Sequence, residues 1–345
     1  MDAIANAVAN VEDLEERLSE PTEAVLRAVE KLEGDYVILG VGGKMGPTLA
    51  RMALRASELA GVKRRVIGVS RFSNAVEESK LRGWGVDTIR CDLLDPSQLD
   101  ALPDVPNVVY MAGMKFGSTG QEAMTWAMNA YLPGMVCNKY RHSRIVAFST
   151  GNVYGLVPVD GGGSREGDML NPVGDYAMSC VGRERILEHF SRALDIPISV
   201  IRLNYAVELR YGVLVDLARR VYGGETIDLS MGHMNVIWQG DASAMSLASF
   251  DRASSPPFVL NVTGPQVLRV RDVSEAFARR FGKRVAFTGT EAPDALLSNA
   301  RRAHELYGPA RVGVEQLTDW IAHWVESGGP MLGKPTHFEV RDGKF

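Results

Sequence analysis

Metal and disulfide chemistry have few residues to draw on in this sequence. Cysteine is scarce: the 345-residue chain contains only Cys91, Cys137 and Cys180, which stand far apart and form no C-x-x-C pair. That spacing excludes zinc ribbons and dithiol redox motifs, and an odd, sparse count is typical of a reducing compartment. The histidines form neither an H-E-x-x-H nor an H-x-H cluster, so we expect no protein-bound metal.

The sequence also has no signal-peptide pattern in its first residues, no long apolar run and no excess of charge of one sign. Its N-terminal residues carry acids and no basic segment followed by an apolar core, which argues against a signal peptide. No apolar run reaches the roughly 18 residues that a membrane-spanning helix needs. Lys and Arg total 38 against 42 Asp and Glu, a balance too even and too acidic for a nucleic-acid or polybasic membrane surface. We expect a cytoplasmic protein that acts on a small molecule, without a nucleic-acid or membrane partner.

Residues 36–204 alternate between short apolar runs and helix-forming segments. Apolar strands that alternate with helices form βαβ units and a parallel sheet covered on both faces. The pattern therefore predicts an α/β fold with a doubly wound, Rossmann-type parallel sheet. The expected strands are 36–40, 64–70, 86–92, 107–113, 143–150 and 197–204, with helices at 47–61, 75–85, 121–140 and 174–194.

The regularity breaks on either side of this unit. Residues 1–34 are polar and helix-prone, which predicts an N-terminal helical extension packed on the body. Residues 35–204 form the expected dinucleotide-binding domain, and residues 205–345 predict a smaller C-terminal lobe that mainly binds substrate. Within this lobe we expect helices near 211–223, 241–250 and 271–282, short strands at 226–229 and 234–238, and a late strand at 257–262 that returns to the sheet.

A glycine-rich turn follows the first expected strand and leads into a helix. Gly40, Gly43 and Gly46 frame it, with Lys44 and Met45 inside. Glycines at such a position let the backbone approach a pyrophosphate, and the following helix N-terminus supplies free N–H groups and a positive dipole end. The alternative is a tight turn with no ligand. Because a strand precedes the turn and a helix follows it, the pattern favours dinucleotide binding by these five residues.

The spacing Gly40-x-x-Gly43-x-x-Gly46 resembles that of the extended short-chain dehydrogenase/reductase superfamily, and in particular its NAD(P)-dependent epimerase/dehydratase family. The resemblance covers about residues 36–320 and rests on several ordered motifs. The matching segments are Asp92-Leu93, Met111-Ala112-Gly113, Asn129, the stretch from Ser149 to Gly155, Glu166, Tyr176-x-x-x-Cys180-x-x-x-Glu184 and Arg202-Leu203-Asn204. The resemblance implies that Asp92 and Leu93 contact the adenine of the cofactor. It also implies cofactor contacts by Met111, Ala112, Gly113, Asn129, Tyr176 and Asn204.

The same resemblance implies where catalysis takes place. Tyr176 is the expected general acid/base, Ser149 or Thr150 is expected to polarise the substrate oxygen, and the helix of Tyr176 is expected to face the nicotinamide. The family carries a lysine four residues after the tyrosine, which lowers the pKa of the phenol and holds the nicotinamide ribose. This chain has Cys180 there. A thiol is neutral, short and a weak donor, so it cannot lower the pKa of the tyrosine by charge.

Three explanations of the missing lysine stay open on the sequence alone. Another cation fills the space beside the tyrosine and the cofactor, with Lys115 in the loop after the fourth strand the best candidate, as a cofactor-binding residue, and Arg183 a weaker one. Alternatively, Cys180 itself acts as an acid or base, with its pKa lowered by the positive nicotinamide. In the third case catalysis is lost, and the protein is a non-catalytic NADP-binding sensor or scaffold. Taken alone, Cys180 is also typical of a small buried hydrophobe.

The end of the second expected strand bears on the choice between NAD and NADP. An acid at that place accepts hydrogen bonds from the ribose 2′-hydroxyl and repels a 2′-phosphate. This chain has Ser70 and Arg71 there, and a hydroxyl and a guanidinium suit a 2′-phosphate. The sequence therefore favours NADP over NAD.

The substrate side departs from the family's pattern for nucleotide sugars. Members that act on nucleotide sugars usually carry an arginine just before the strand that corresponds to 236–242. Met234 and Asn235 stand there in this chain, so a pyrophosphate would lose its bidentate partner. We expect a hydride-transferring oxidoreductase or epimerase/dehydratase with a smaller, carbohydrate-like polyhydroxylated or oxo-acid substrate. Candidate lining residues are Asn204, Tyr205, Arg210, His233, Asn235 and Trp238.

The two long helices bear on assembly. An apolar stripe runs along 121–140, and a monomer would partly expose it. The resemblance implies that this helix and 174–194 pair across a two-fold axis, which is also the commonest symmetry of small oligomers. We therefore expect a homodimer. The stripe consists of Met124, Met128, Tyr131 and Met135.

Overall fold

A seven-stranded parallel sheet forms the centre of the molecule in the computed structural model, which describes residues 7–115, 117 and 119–344. Its strands are β1 (Tyr36–Leu39), β2 (Val66–Ser70), β3 (Asp87–Arg90), β4 (Asn107–Tyr110), β5 (Arg144–Thr150), β6 (Ile198–Leu203) and β7 (Phe258–Val262). Their spatial order is β7-β6-β5-β4-β1-β2-β3. The order reverses between β1 and β4, and such a switch point opens a crevice outside the carboxyl ends of the strands. The prediction of a doubly wound α/β sheet is confirmed.

The composition of the strands matches their places in the sheet. β1 is apolar throughout and fully buried, as a central parallel strand between two layers of helices must be. β3 lies at the edge, where its four residues are partly or fully exposed. The crevice therefore opens above a rigid, well-buried centre.

Helices cover both faces of the sheet and build the remainder of the molecule. Within the described part of the chain, no helix is long and apolar enough to cross a membrane. The helices α5, α12 and α13 have no counterpart in the sequence prediction. Among the described residues the α-helices are α1 (Val11–Leu18), α2 (Glu23–Glu30), α3 (Gly46–Leu59), α4 (Ala75–Gly83), α5 (Pro96–Asp100), α6 (Glu122–Trp126), α7 (Leu132–Lys139), α8 (Gly174–Leu194), α9 (Val213–Gly223), α10 (Gln239–Ala248), α11 (Val270–Phe281), α12 (Arg301–Tyr307) and α13 (Val314–Glu326).

The helix predicted over 121–140 is interrupted by a π-helical turn, Ala127–Tyr131, between α6 and α7. Pro133 has no N–H to donate to the carbonyl of Asn129, four residues earlier. Arg183 donates to that carbonyl instead, from Nε at 3.3 Å. The irregular turn is thus held by a side chain of the neighbouring helix α8.

The N-terminal helices α1 and α2 pack against α3 and α10. Asn10 and Thr22 cap them by accepting hydrogen bonds from backbone N–H groups of their first turns. Glu15 of α1 is buried and forms ion pairs with Lys80 of α4 and with Arg210. These pairs tie the N-terminal segment both to the sheet layer and to the chain that follows β6.

A second core lies beside the sheet and is built mostly from residues after β6. It is centred between α9, α11 and α13, where Phe277 and Trp320 are buried. Trp238 packs edge-on against Trp320 with ring centroids 5.7 Å apart. Four pairs of two-residue strands border this core: Ile227–Asp228 with Phe287–Thr288, His233–Met234 with Leu268–Arg269, Ile237–Trp238 with Ala206–Val207, and Val157–Pro158 with Asp294–Ala295.

The strand predicted over 234–238 is therefore two separate strands with different partners. Asn235 lies between them and is buried. Its side-chain amide donates to the carbonyls of Ser298, at 2.5 Å, and Gly264, at 3.4 Å. These long-range bonds interrupt the strand, and no local pattern predicts them.

Residues 329–344 cross from the second core toward the start of α8 without forming a helix or strand. Thr336 donates twice to Asp216 of α9, from its backbone nitrogen at 2.8 Å and from its hydroxyl at 2.6 Å. A Cβ on Gly343 would lie 2.2 Å from the carbonyl oxygen of Val173. The backbone of this C-terminal segment is thus pressed against the residue that precedes α8.

Candidate active site

The glycine-rich turn after β1 is built so that only glycine fits at two of its positions. Gly40 has φ of +89°, in the left-handed region, and a Cβ there would lie 2.8 Å from the backbone nitrogen of Ala112. A Cβ on Gly46 would lie 2.2 Å from the carbonyl oxygen of Val41. Backbone atoms cannot move aside as a flexible side chain can. The tight turn and the close packing of α3 on the strand therefore depend on these two glycines.

The outer face of the turn fits a pyrophosphate. The N–H of Gly43 donates to the carbonyl of Gly40 at 3.1 Å. A Cβ on Gly43 would meet only that oxygen, at 3.4 Å, among the described atoms within 4 Å. A ligand can thus approach this backbone closely. α3 begins beside it with Pro47 in its first turn, and the free N–H groups and positive dipole end of the helix suit an anion. The residues present therefore fit a dinucleotide cofactor.

Lys44 brings positive charge to this turn. Its Nζ lies 3.3 Å from the centroid of the Tyr211 ring, a cation–π contact. Burial and, to a smaller extent, the positive charges of Lys334 and Lys115 lower the pKa of Lys44 to about 7, against the opposing charge of Asp216. The Lys44 amine, which two further amines repel, is suited to receive the phosphates of a ligand.

The turn after β4 lies directly against the glycine-rich turn. Ala112 contributes the backbone that closes on Gly40. Met111 and Met45 are half-buried and pack against the apolar core beneath the crevice. A Cβ on Gly113 would lie 2.4 Å from Nη2 of Arg183. The two turns, predicted separately from the sequence, thus form one wall of the crevice.

The residues predicted to bind the adenosine half lie at the ends of β2 and β3. Ser70 faces the glycine-rich turn, and Arg71 is exposed. The Asp92 side chain is exposed and accepts a hydrogen bond from the backbone of Leu94 at 3.1 Å. Leu93 is buried in the core on one face of the sheet. Ser70 is therefore the last residue of β2, Asp92 follows the adjacent strand β3, and both lie at the same edge of the crevice.

Tyr176 lies in the first turn of α8, close to the end of β5. Its hydroxyl forms hydrogen bonds with the side chains of Thr150 and Cys180. Burial raises the pKa of Tyr176 above its ordinary value, and the Cys180 thiol adds to the shift, whereas the charge of Arg183 and the hydrogen bond with Thr150 oppose it. In the free protein the phenol is therefore protonated at neutral pH.

Ser149 and Thr150 are neighbours in sequence but have different surroundings. Thr150 contacts the phenol of Tyr176. The Ser149 hydroxyl instead donates to Oε1 of Glu184 at 2.6 Å, and both residues are buried. Of the two predicted candidates for holding the substrate oxygen, the structure brings Thr150 to the tyrosine and keeps Ser149 within a buried network.

That network joins α8, β6 and β7. Glu184 forms a buried ion pair with Arg202, from Oε2 to Nη2 at 2.7 Å. Arg202 also donates to the Tyr154 hydroxyl at 2.7 Å, and this hydroxyl donates in turn to Oδ1 of Asn261 at 2.7 Å. The motif residues Glu184, Arg202 and Tyr154 thus hold the strands and the helix together beneath the site.

Cys180 is completely buried and packs against Val153 and Tyr154. Burial raises the pKa of its thiol, and the opposing charges of Arg183 and Lys115 do not reverse the shift. The thiol is therefore neutral at neutral pH. Its place in an apolar cluster is that of a packed side chain that accepts the phenol hydrogen.

Lys115 lies beside Tyr176 although it comes from another element. Its Nζ is 5.6 Å from the centroid of the Tyr176 ring. The preceding residue, Met114, is clamped by Asn129: Oδ1 accepts from its N–H at 2.9 Å, and Nδ2 donates to its carbonyl at 2.9 Å. Burial lowers the pKa of Lys115 to about 8. The predicted alternative cation, Lys115, is thus close to the tyrosine. Asn129 is buried and holds the backbone of the residue before Lys115.

Arg183, the weaker candidate, is engaged elsewhere. Nη1 donates to the carbonyl of Phe148 at 2.7 Å, and Nη2 donates to Oδ1 of Asn129 at 2.6 Å. Its guanidinium carbon lies 5.7 Å from the centroid of the Tyr110 ring. The guanidinium therefore supports the π-helical turn and the loop of Lys115, and reaches Tyr176 only through its charge.

Most of the predicted substrate-lining residues are held in the structure of the second lobe. Nδ2 of Asn204 donates to Oδ1 of Asn235 at 2.9 Å, and both side chains are buried. Arg210 forms ion pairs with Glu208 and with Glu15.

Trp238 belongs to the apolar core, where it is 1% exposed. Tyr205, with a left-handed φ of 44°, and His233 are only partly buried. Of the six predicted lining residues, these two and the ion-paired Arg210 are partly exposed, and the other three are buried.

Three residues at the crevice have no place in the sequence prediction. Tyr211 packs on Lys44, Lys334 lies in the C-terminal segment, and Glu77 lies in the first turn of α4. Only Glu77 carries a local signal, and an acid in a first helical turn is equally typical of a favourable helix dipole. Lys334 follows the last helix, so its position depends on contacts made far along the chain.

A parallel sheet with this strand order, a glycine-rich turn at its switch point and a tyrosine at the crevice are the fold and site of an enzyme that uses a nicotinamide dinucleotide. The family model described as the NAD dependent epimerase/dehydratase family matches residues 36–224. The protein belongs to this family. The matched residues extend from β1 through α9 and include Thr150, Tyr176 and Cys180.

Solved structures share the fold at low sequence identity. UDP-glucose 4-epimerase from Thermotoga maritima, with UDP-glucose, is 16% identical at a TM-score of 0.70, over 85% of this chain and 99% of that one. dTDP-glucose 4,6-dehydratase from Bacillus anthracis, in complex with NAD, is 16% identical at 0.72, over 86% and 97%. UDP-glucuronic acid 4-epimerase from Bacillus cereus, with UDP-glucuronic acid and NAD, is 17% identical at 0.67, over 84% and 99%. No curated protein matches the sequence.

Proposed function

We propose that the protein catalyses a reversible hydride transfer at a secondary alcohol or ketone of a small, carbohydrate-like substrate, as an epimerase, dehydratase or related oxidoreductase. Tyr176 exchanges the proton, Thr150 hydrogen-bonds the substrate oxygen, and Lys115 supplies the positive charge. The observation that carries the proposal is the position of Lys115, whose ammonium lies over the ring of Tyr176 in a chain that lacks the usual lysine.

The residues around Tyr176 are suited to hold and move one proton. The protonated phenol donates to a substrate oxygen in the reducing direction. In the oxidising direction the phenolate accepts the proton of a substrate hydroxyl, and an opposite charge within about 4–6 Å lowers a pKa by roughly 1–3 units. Lys115 offers that charge. The Thr150 hydroxyl has a single proton, which it donates to the phenol oxygen in the free protein and to the substrate oxygen in the complex. When bound, the nicotinamide supplies the hydride acceptor or donor.

Cys180 contributes packing to this site. A buried thiol with a raised pKa is a poor acid/base partner at neutral pH. The hydrogen bond from the phenol fixes the tyrosine ring in the free protein. We therefore assign the proton transfer to Tyr176 alone.

We infer NAD as the cofactor, where the sequence alone favoured NADP. The family is NAD-dependent, and the dehydratase and glucuronic acid epimerase structures were determined with NAD. Arg71, on which the NADP prediction depends, is exposed.

For the substrate, two observations point in partly different directions. The related epimerases hold UDP-glucose or UDP-glucuronic acid, which supports a sugar skeleton. In this chain the two residues directly before Val236 are Met234 and Asn235, where nucleotide-sugar enzymes of the family usually carry an arginine. Arg210 forms ion pairs with Glu208 and Glu15. We propose a polyhydroxylated or oxo-acid substrate smaller than a nucleotide sugar.

A substrate panel tests this function. The purified protein is supplied with NAD and with UDP-glucose, UDP-glucuronic acid, free sugars, polyols and hydroxy acids, while reduced nicotinamide is followed by fluorescence and products by NMR. We expect turnover of at least one smaller compound, abolished in Tyr176→Phe and kept in the control Tyr131→Phe. Turnover of the UDP-sugars alone would contradict the substrate proposal. Bound NAD with no turnover of any compound, or equal turnover in Tyr176→Phe, would contradict the assigned chemistry.

We also propose a homodimer through α6–α7 and α8. Met128 and Met135 are half-buried against the core of their own chain, whereas Met124 and Tyr131 are 47% and 63% exposed. Met178 of α8 is 47% exposed and extends the apolar surface. Light scattering should give the dimer mass at micromolar concentration and the monomer mass for Met124→Glu/Tyr131→Glu. Met169→Glu, which changes an exposed methionine outside these helices, is the control, and a monomeric unsubstituted protein would refute the proposal.

A further inference from the structure

The end of β2 and the first turn of α4 meet at the glycine-rich turn. A Cβ built on Gly42 would lie 2.6 Å from Oγ of Ser70 and 3.4 Å from Oε2 of Glu77. One hydroxyl and one carboxylate oxygen therefore converge on a single point beside the turn. A side chain at Gly42 would have to displace the Ser70 hydroxyl.

A dinucleotide held by the glycine-rich turn would bring its adenosine ribose to this point. The pyrophosphate is held by the glycine-rich turn, and the expected adenine contact, Asp92, follows the adjacent strand β3. The ribose connects the two and so passes between Gly42 and the end of β2. Its 2′-hydroxyl is a hydrogen-bond donor, and a carboxylate is a strong acceptor for it.

Arg71 is the other charged residue at the end of β2. It is exposed, and the next residue, Phe72, is buried with a left-handed φ of 46°. The chain thus turns sharply just after β2. Glu77, by contrast, is half-buried at the crevice, in a helix whose N-terminus is capped by Asn74.

The charges that face Glu77 come from two elements. Lys80 lies one turn further along α4, and Lys334 lies in the C-terminal segment. Burial raises the pKa of Glu77 above its ordinary value, and these two cations oppose the shift. They also keep the carboxylate compatible with the nearby phosphates of a bound dinucleotide.

Resting on the proposed function, we propose that Glu77 selects NAD over NADP. Its carboxylate accepts a hydrogen bond from the ribose 2′-hydroxyl and repels a 2′-phosphate. The acid thus comes from the helix after β2, and the residues at the end of β2 itself, Ser70 and Arg71, do not set the preference.

Calorimetric titration of the full-length protein with NAD and with NADP tests the assignment. We expect the unsubstituted protein to bind NAD more tightly. In Glu77→Gln, which keeps the size of the side chain, the Kd for NAD should rise about tenfold, because a hydrogen bond to a charged group is lost. The Kd for NADP should fall in the same variant, because the repelling charge is gone.

Three further variants make the result decisive. Glu58→Gln, at an exposed position near the end of α3, should change neither Kd. Arg71→Ala should leave the NAD to NADP ratio unchanged, and thermal unfolding of Glu77→Gln checks that it is folded. If that variant does not fold, Glu77→Asp, which keeps the charge but shortens its reach, should weaken NAD binding and still reject NADP.

The outcomes separate this inference from the proposed function. Preference for NADP that Arg71→Ala removes, or an unchanged ratio in Glu77→Gln, would overturn the role of Glu77 and leave a dinucleotide enzyme intact. Failure of the unsubstituted protein to bind either nucleotide would overturn the proposed function and this inference together.

Discussion

Two polar clusters are built on the same strand and the same helix, and they differ in purpose. Ser149 and Glu184 belong to a closed network in which every named group is buried and paired through Arg202. Thr150 is the residue after Ser149, and Tyr176 lies two helical turns before Glu184. Both lie at the crevice, and Lys115 is beside Tyr176. The first cluster fixes α8 to the sheet, and the second presents a movable proton. A single sequence motif thus mixes structural and chemical residues, and only their partners tell them apart.

The largest effect is expected from removing the proton. Tyr176→Phe keeps the ring and its packing but removes the acid/base group, so turnover should fall by roughly 10²–10⁴-fold. Steady-state kinetics on any substrate found in the panel measures the loss. Cofactor affinity and the thermal unfolding midpoint should stay close to those of the unsubstituted protein. A loss of turnover smaller than tenfold would contradict the assignment of the proton transfer to Tyr176.

Breaking the closed network should act on stability instead. Glu184→Ala leaves the buried guanidinium of Arg202 without its carboxylate, which should lower the free energy of unfolding by about 3–5 kcal/mol. Urea denaturation provides the measurement. The matched control is Glu188→Ala on the same helix, whose ion pairs with Arg185 and Arg192 are exposed and should be worth about 0–1 kcal/mol. Similar losses in both variants would show that burial does not set the difference.

Lys115 should affect turnover and its pH dependence. Lys115→Met removes the charge, so the pKa of the Tyr176 phenol should rise by about 1–3 units. Turnover should therefore fall by roughly 10–10³-fold. With a pKa lowered to about 8, the ammonium is charged below that pH and neutral above it. Activity should therefore decline as the pH rises through about 8. Lys115→Arg, which stays charged, should move this decline to higher pH, and a pH–rate profile that does not move would exclude the electrostatic role.

The smallest effect is expected at Cys180. Cys180→Ala should cost about 1 kcal/mol of stability through lost packing and should leave turnover within about threefold, less than half a pKa unit of effect at the phenol. Urea denaturation and kinetics on the same preparation separate the two. A large loss of turnover in a folded Cys180→Ser protein, with cofactor affinity unchanged, would place the thiol in the chemistry after all.

The parts that could be predicted from the sequence are those set by local pattern. The strands and helices of residues 36–204 follow from apolar periodicity, and the glycine-rich turn follows from three glycines between a strand and a helix. Lys115 could be proposed because it follows β4, whose carboxyl end faces the crevice. These features need only neighbours in sequence and the rules of parallel sheets.

The remainder depended on partners that lie far apart in the chain. Arg210 was predicted at the substrate and is instead paired with Glu15, in the N-terminal helix. The sequence could not tell which of Ser149 and Thr150 contacts the tyrosine. The hydroxyl of Ser149 is instead bound to Glu184, a contact that forms only where α8 packs on β5. Lys334 follows the last helix and carries no periodic signal. Each error or omission concerns one side chain whose role is decided by tertiary contact.

The contact between Gly343 and Val173 joins the site to the last part of the chain. Every residue of the proton-transfer cluster precedes residues 329–344 in sequence, and that segment packs directly against the residue before the first turn of α8. A chain cut before Thr336 would keep all the groups that act on the substrate. Hydrogen exchange would then report faster opening at the amides around Tyr176, a loss of local order with no loss of any reacting group.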